Sequence, residues 1–466
     1  MMETLRINTA LKQLISDEQA YSQRIVPIEE NADCITFLTD FVSDEKEQEL
    51  HILFEKDIIL KAERQSKIDE LLSYNFRKKS TSSQLNYSED FILKILYSAK
   101  HVSGSDIHLE PFENGGRIRF RIDGKLIEQY IISKDEYPVL VNKIKIKANL
   151  DISEKRLPQD GRISIKDKTE EFDIRVSSLP TLHGEKIVMR ILNKDANSLS
   201  LDHLGMSKTE LELYKEQIQK PNGIILISGP TGSGKTTTLY ATLKQLNTRD
   251  TNILTIEDPI EYTLEGISQV QLKESIGLDF VSALRAFLRQ DPDIIMIGEI
   301  RDAKTANMAV RSALTGHLVL STIHTNSAWA TINRLIDMGI PSYLLASTIN
   351  ISLAQRLLRT LCPHCKQKKE ADPKDFPGTF ELPKPINSYY TEVGCPECHY
   401  SGYQGRKAIY EMIPISKTLK TKIKNNEPDI DNYLKDQHIN TLRNNALKLL
   451  FSGETSPKEV FPYLLQ

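Results

Sequence analysis

Residues 223–243 read GIILISGPTGSGKTTTLYATL. Ile224, Ile225, Leu226 and Ile227 form a short apolar run of the kind that makes a buried strand. Gly229, Pro230, Thr231, Gly232, Ser233, Gly234, Lys235 and Thr236 then fit the pattern G-x-x-x-x-G-K-[ST] in full. Three glycines let the backbone take positive φ and turn successive N–H groups inward onto phosphate oxygens. Lys235 adds a point charge, and Thr236 offers a hydroxyl to Mg²⁺, with Thr237 beside it. The following helix carries Leu239, Leu243 and Leu246 on one face and aims its positive end at the phosphates. A strand before the loop and an amphipathic helix after it make this a nucleoside triphosphate site, with ATP and Mg²⁺ the expected ligands.

The rest of the chain sets bounds around that site. A length of 466 residues predicts two to four domains, each able to bury its own core. A net charge of −3 supplies no broad basic field for nucleic acid or anionic lipid. No apolar run approaches about 18 residues, and the opening MMETLRINTALKQLISDEQA lacks the continuous apolar segment of a signal peptide, so a cytoplasmic location is expected. Of five cysteines, four fall in two C-x-x-C pairs, which in a reducing compartment points to metal rather than disulfides.

Short apolar runs at 24–28, 34–38 and 58–60, with an acidic-fronted helix at 44–54, predict a small α/β domain over residues 1–76. Cys34 lies inside one of those runs and reads as a core residue. Residues 77–90 are polar and Ser-rich and read as a linker. A second domain, 91–195, opens with a helix whose Phe91, Ile92, Ile95 and Ala99 share a face. It centres on a hairpin in which Arg117–Ile122 alternates, Asp123-Gly124 turns, and Lys125–Ile132 returns. Arg117, Arg119 and Arg121 then line one face, and residues 155–162, 173–180 and 183–190 read as further arginine-edged strands. Such a face is a candidate anion surface or simply a solvated one.

After the phosphate loop, three apolar strands end in polar residues: 253–256 in Glu257-Asp258, 294–297 in Gly298-Glu299, and 318–323 in His324. A parallel sheet presents its chemistry at such carboxyl ends, and the pattern predicts a RecA-like α/β core over 205–361. Gly298 stands where a metal-holding Asp normally ends this strand, so Glu299 is assigned the attacking water and Glu257 or Asp258 the support of the metal. His324 is a candidate sensor of the γ-phosphate, and His317 a core or capping residue.

Cys362, Cys365, Cys395 and Cys398 have the spacing of two knuckles closing a structural Zn²⁺ site in a subdomain over 362–398. The remaining residues, 399–466, read as helical. Gly453 is a stop, and Ser456, Pro457 and Glu459 form a capping box.

Taken in order, these motifs resemble the secretion ATPases of the type II secretion system and the assembly motors of type IV pili. The resemblance covers residues from about 20 to the end. It rests on Ser105–Pro111, Arg156–Arg162 and Asp173–Pro180, the phosphate loop, Thr255–Glu261, Gln290–Asp302, Thr315–Asn326, Gln355-Arg356 and the tetracysteine. The tetracysteine and first domain are similar to those of assembly rather than retraction motors. Lys304 and Ser327 stand where the family usually has acids, and neither lies on the phosphate path. The first domain lacks the repeats with which some members bind cyclic di-GMP, so no such regulation is expected.

The resemblance implies a PAS-like second domain whose Arg175 and Arg190 reach the nucleotide. It also implies a partner-docking first domain and a homohexamer that powers assembly of a pilus or a type II pseudopilus. Its partners would be an inner-membrane platform protein and a docking protein, giving peripheral association with the cytoplasmic face of the inner membrane. No nucleic acid is expected. A RecA-like nucleic-acid translocase or DNA-uptake factor is the alternative, and the low charge and absence of aromatics interleaved with basic residues weigh against it.

Overall fold

The computed structural model describes residues 7, 11, 14–31, 33–76, 89–166, 171–192, 200–371, 387–398 and 401–464. Residues 77–88 of the expected linker lie outside these. The chain divides into two units, 1–91 with 395–400, and 92–394 with 401–466.

In the first unit, β1 (Ile25–Glu30) runs antiparallel to β2 (Cys34–Thr39), and β3 (Asp57–Ala62) lies parallel to β2 on its other side. Ile25, Val26, Ile35, Phe37 and Ile58 join Leu50, Ile68 and Leu72 in one core. The helix Asp44–Phe54 starts where Ser43 Oγ accepts the Lys46 N–H at 3.2 Å, with Asp44, Glu45 and Glu47 facing the positive end of its dipole. Cys34 is half-buried at the start of β2.

The second unit contains two large sheets. One is antiparallel and six-stranded, in the order β6-β5-β4-β9-β8-β7. Its strands are β4 (Asp106–Phe112), β5 (Gly115–Ile122), β6 (Lys125–Ile132), β7 (Gln159–Lys166), β8 (Glu171–Thr181) and β9 (Gly184–Leu192). Asp123 and Gly124, at φ 46° and 84°, make the tight turn between β5 and β6 that the Asp-Gly pair predicts. The segment 155–158, read as strand, is not one: Leu157 is exposed, Pro158 has no N–H to donate, and pairing begins at Gln159.

The arginine face is not an open cationic surface. Central strand β4 sets Asp106 and Glu110 between β5 and β9. Glu110 accepts from Arg119 at 2.7 Å, Arg117 at 2.9 Å and Lys186 at 3.0 Å, while Asp106 takes Arg190 at 2.8 Å. Burial would raise the Glu110 pKa, but the hydrogen bonds from Arg119, Lys186 and Arg117 outweigh it and bring it down to about 2.

The other sheet has seven strands in the order β12-β11-β13-β14-β10-β15-β18. These are β10 (Gly223–Ser228), β11 (Ile253–Glu257), β12 (Ser268–Gln271), β13 (Ile294–Ile297), β14 (Leu318–Ile323) and β15 (Ile349–Leu361), completed by β18 below. Strands β10 to β15 are mutually parallel where they pair. β10 is buried on both faces, as Ile224–Ile227 predicts, and each such side chain contributes about 1.5–3 kcal/mol. A two-stranded ribbon of β16 (Gln367–Glu370) and β17 (Ser388–Thr391) precedes β18 (Tyr403–Pro414).

β18 corrects the expectation that residues beyond 398 are helical. This twelve-residue strand runs antiparallel to β15 and extends the sheet before the helices from Lys417 onward begin. The capping box at 456–459 is also corrected. Glu459 accepts from Arg359 Nη2 at 2.7 Å and from its N–H at 3.1 Å, and Ser456 Oγ pairs with Tyr403 Oη at 2.6 Å. Tertiary partners thus claim both side chains of the local motif.

Candidate nucleotide site

The carboxyl ends of β10, β11, β13 and β14 open into one cleft of about 490 Å³, lined by Thr231, Gly232, Gly234, Lys235, Thr236 and Thr237 with Glu257, Asp258, Glu299 and His324. Gly229 has φ 152°, and a β-carbon there would stand 2.5 Å from Ser233 Oγ and 2.6 Å from the Gln355 carbonyl oxygen. Gly234 has φ 86°, and a β-carbon on it would meet Gln355 Nε2 at 2.8 Å. The loop fits its floor only without side chains at these two places. Pro230 is exposed at its rim.

Among the described residues, Ser233 Oγ is buried inside the loop without a hydrogen-bond partner. Lys235 is buried and donates to the carbonyls of Gly229 at 2.9 Å and Pro230 at 3.0 Å. Burial lowers its pKa, Glu299 opposes that, and Arg356 adds to it. Thr236 is exposed to the cleft at the start of the helix Lys235–Leu246. An orphaned hydroxyl, a buried ammonium held by backbone carbonyls and an open helix start suit a polyanion with its divalent cation.

Glu299 follows β13. One carboxylate oxygen accepts from Arg301, and the other lies 3.4 Å from Nε2 of His324, which is half exposed. At Gly298 a β-carbon would lie 3.3 Å from the Ile256 carbonyl oxygen and 3.4 Å from Cα of Glu257, a close approach that a small shift relieves. Glu257 is 3% exposed and fully engaged. It takes Tyr240 Oη on one oxygen, and Thr255 Oγ1 at 2.6 Å with Gln269 Nε2 at 3.1 Å on the other. Asp258 is more open, with Arg301 at 3.5 Å. Of the two acids, Asp258 is therefore the one with room for a cation. His317 caps its helix, Nδ1 lying 2.8 Å from the Ser312 carbonyl oxygen.

Arg175 and Arg190 are paired across β8 and β9 and differ in reach. Arg190 lines the cleft from its bond to Asp106. Arg175 is absent from the lining and holds the segment after Asp258, through the Ile260 carbonyl and Glu261 Oε2 at 3.2 Å. Tyr262, Leu357 and Arg406 also line the cleft without any role expected from sequence, as does Ser105, which entered only as the start of the Ser105–Pro111 stretch. Leu357 and Arg406 lie on β15 and β18, two strands whose reading was missed. Arg301, which bonds Glu299, lies in the Gln290–Asp302 stretch two residues after that glutamate.

The sulfurs of Cys362, Cys365, Cys395 and Cys398 all lie within 4.8 Å of one another. Cys365 Sγ accepts the Gly394 N–H at 3.3 Å, and Cys398 Sγ the Cys395 N–H at 3.2 Å, an N–H-to-sulfur arrangement that favours thiolates. Four sulfurs fit a tetrahedral S₄ ion and leave no coordination position for water.

A family described as "Type II/IV secretion system protein" matches residues 81–462. The chain belongs to this family. It is 48% identical over 368 residues to the putative type II secretion system protein E of Escherichia coli K12, spanning 78% of this chain and 74% of that one. It is 46% identical to the type II secretion system ATPase E of Vibrio cholerae, spanning 76% and 71%. It is 48% identical to the type IV pilus assembly ATPase PilB of Myxococcus xanthus, spanning 78% and 66%. Among solved structures, the Legionella pneumophila ATPase DotB superposes with a TM-score of 0.61 at 20% identity, covering 81% of this chain and 95% of that one. The pilus retraction motor PilT with bound ADP gives 0.54 at 24% identity, covering 80% and 96%. These two likenesses bear on the fold, which for this family is the RecA-like core with its preceding sheet. No helix among the described residues is long and apolar enough to cross a membrane.

Proposed function

We propose that this chain is the ATPase motor of a type II secretion or type IV pilus assembly machine, hydrolysing ATP to ADP and phosphate as a homohexamer. The observation that carries the reading is the convergence of the phosphate loop and Glu299 on one cleft, in a chain almost half identical to named secretion and pilus ATPases. The loop N–H groups and Lys235 bind the β- and γ-phosphates, and the Thr236 hydroxyl and Asp258 would hold Mg²⁺, which would supply charge neutralisation to the phosphates. Glu299 takes the proton of the attacking water as its oxygen bonds to the γ-phosphorus and the ADP oxygen leaves. His324 orients that carboxylate. Glu257, held by Tyr240, Thr255 and Gln269, fixes the backbone that presents Asp258. Arg190 answers the developing γ-phosphoryl charge, and Arg175 anchors the six-stranded sheet to the segment beside the metal.

The same reading assigns the first unit to docking on a membrane-associated partner. It places the motor beneath an inner-membrane platform protein at the cytoplasmic face, and the four cysteines around one structural Zn²⁺. The test is Mg²⁺-dependent phosphate release by the purified protein, with light scattering in ATP to read its assembly. Phosphate release suppressed by EDTA and by Lys235→Ala, from a particle of six chains, is expected. No release from a folded, ATP-saturated particle would refute the reading.

A further inference from the structure

We infer that Arg356 is a positioning residue that packs beneath the phosphate loop and holds the loop that follows His324. This rests on the ATPase reading of the cleft. β15 lies parallel to β10, with Ala354 opposite Ser228, and runs on where β10 turns into the phosphate loop. Gln355 and Arg356 therefore form the floor under that loop. Gln355 Oε1 accepts from Thr238 Oγ1 at 2.8 Å, in the second turn of the helix that starts at Lys235. Arg356 Nη1 donates to the Gln355 carbonyl at 3.0 Å and stands 3.1 Å from where a β-carbon on Gly229 would be. Its Nη2 donates to the Asn326 carbonyl at 2.8 Å, two residues beyond His324. One planar guanidinium thus lies against the phosphate loop at Gly229 and hydrogen-bonds the loop after His324, and both loops border the cleft.

The chemistry of that position is unusual for an arginine. Arg356 is 5% exposed, and among the described residues no carboxylate hydrogen-bonds it. Burial lowers its pKa, with Tyr463 and Glu411 opposing at longer range. A buried cation answered mainly by carbonyl dipoles is costly on its own, and it adds positive potential directly beneath a loop built for phosphate. The nucleotide is the counter-anion that offsets this cost. Lysine cannot replace this geometry, because its one nitrogen cannot stand both under Gly229 and beside the Asn326 carbonyl, as the two Nη atoms do.

The experiment compares Arg356→Lys and Arg356→Met in the full chain. It reads kcat and KM for ATP, and the shift in melting midpoint caused by ADP. Arg356→Lys keeps the charge, so the ADP shift is expected near wild type while kcat falls at least about tenfold as the His324 loop loses its tether. Arg356→Met should lose both kcat and most of the ADP shift. Wild-type kcat in Arg356→Lys would overturn the positioning role, since charge alone would then suffice. Lower melting points with unchanged kcat and ADP shift in both variants would make the residue merely structural, as would failure of both to fold. A wild-type protein that binds ADP and releases no phosphate would instead refute the ATPase reading.

Discussion

Nε2 of His324 lies 3.4 Å from one carboxylate oxygen of Glu299, and Arg301 donates to the other. Neighbouring parallel strands β14 and β13 end just before the two residues, so the sheet brings their loops side by side.

That pairing gives His324 an orienting task. His324→Ala should lower kcat by roughly tenfold or more with ATP affinity little changed, because the carboxylate loses one of two partners that fix it. Single-turnover phosphate release with a parallel binding titration checks this. Equal losses in affinity and rate would move the residue from orienting Glu299 to binding nucleotide.

Arg190 and Arg175 should separate. Arg190 lines the cleft, so Arg190→Ala should reduce kcat at least about tenfold, within the large effects known for arginines that meet a transferring phosphoryl group. Arg175→Ala should act through loss of its hold on Ile260 and Glu261, and affect rate less. Steady-state kinetics of the two variants side by side would distinguish them.

Glu110 gathers three cations in the six-stranded sheet. Glu110→Gln should cost about 2–3 kcal/mol, the scale of hydrogen bonds to a charged group. Its folded pKa of about 2 lies below the ordinary 4.5, so its contribution is present above pH 4.5 and is lost as pH falls toward 2. Melting curves across that range should show a smaller acid-induced loss in the variant than in the wild type.

The cysteine cluster should hold one zinc per chain. Cys365→Ser and Cys398→Ser should lose the metal alike and lower the stability of the surrounding segment, because S₄ sites couple metal binding to folding. Elemental analysis and thiol alkylation of freshly purified protein read this, and full alkylation without zinc would remove the site.

Much of this architecture was legible because local pattern and tertiary role agree. Ile224–Ile227, the glycine loop and Leu239 with Leu243 carry strand, turn and buried helix face in consecutive residues, and β11, β13 and β14 announce themselves by apolar runs ending in acids or histidine. What was not legible depends on distant partners. β15 interrupts its apolar run with Gln355 and Arg356, whose burial is explained only by the loop above them, and β18 has meaning only as the partner of β15. Glu459 reads as a cap until Arg359 claims it, and the three arginines of β5 read as an exposed face until Asp106 and Glu110 are seen beside them. Glu257 stood equal to Asp258 as a metal ligand because nothing local places Tyr240 and Gln269 around it.

In the proposed mechanism, Glu299 supplies the charge that activates water in a cleft whose affinity for nucleotide comes from the phosphate loop. Its most direct test measures ATP binding and ATP turnover separately in Glu299→Gln and Lys235→Ala. Glu299→Gln keeps volume and hydrogen bonding and removes only the charge, so it should bind ATP with near wild-type affinity and fall by about 10²-fold or more in kcat. Lys235→Ala should lose binding and turnover together. Equal loss of binding in both variants, or near wild-type turnover in Glu299→Gln, would contradict the account.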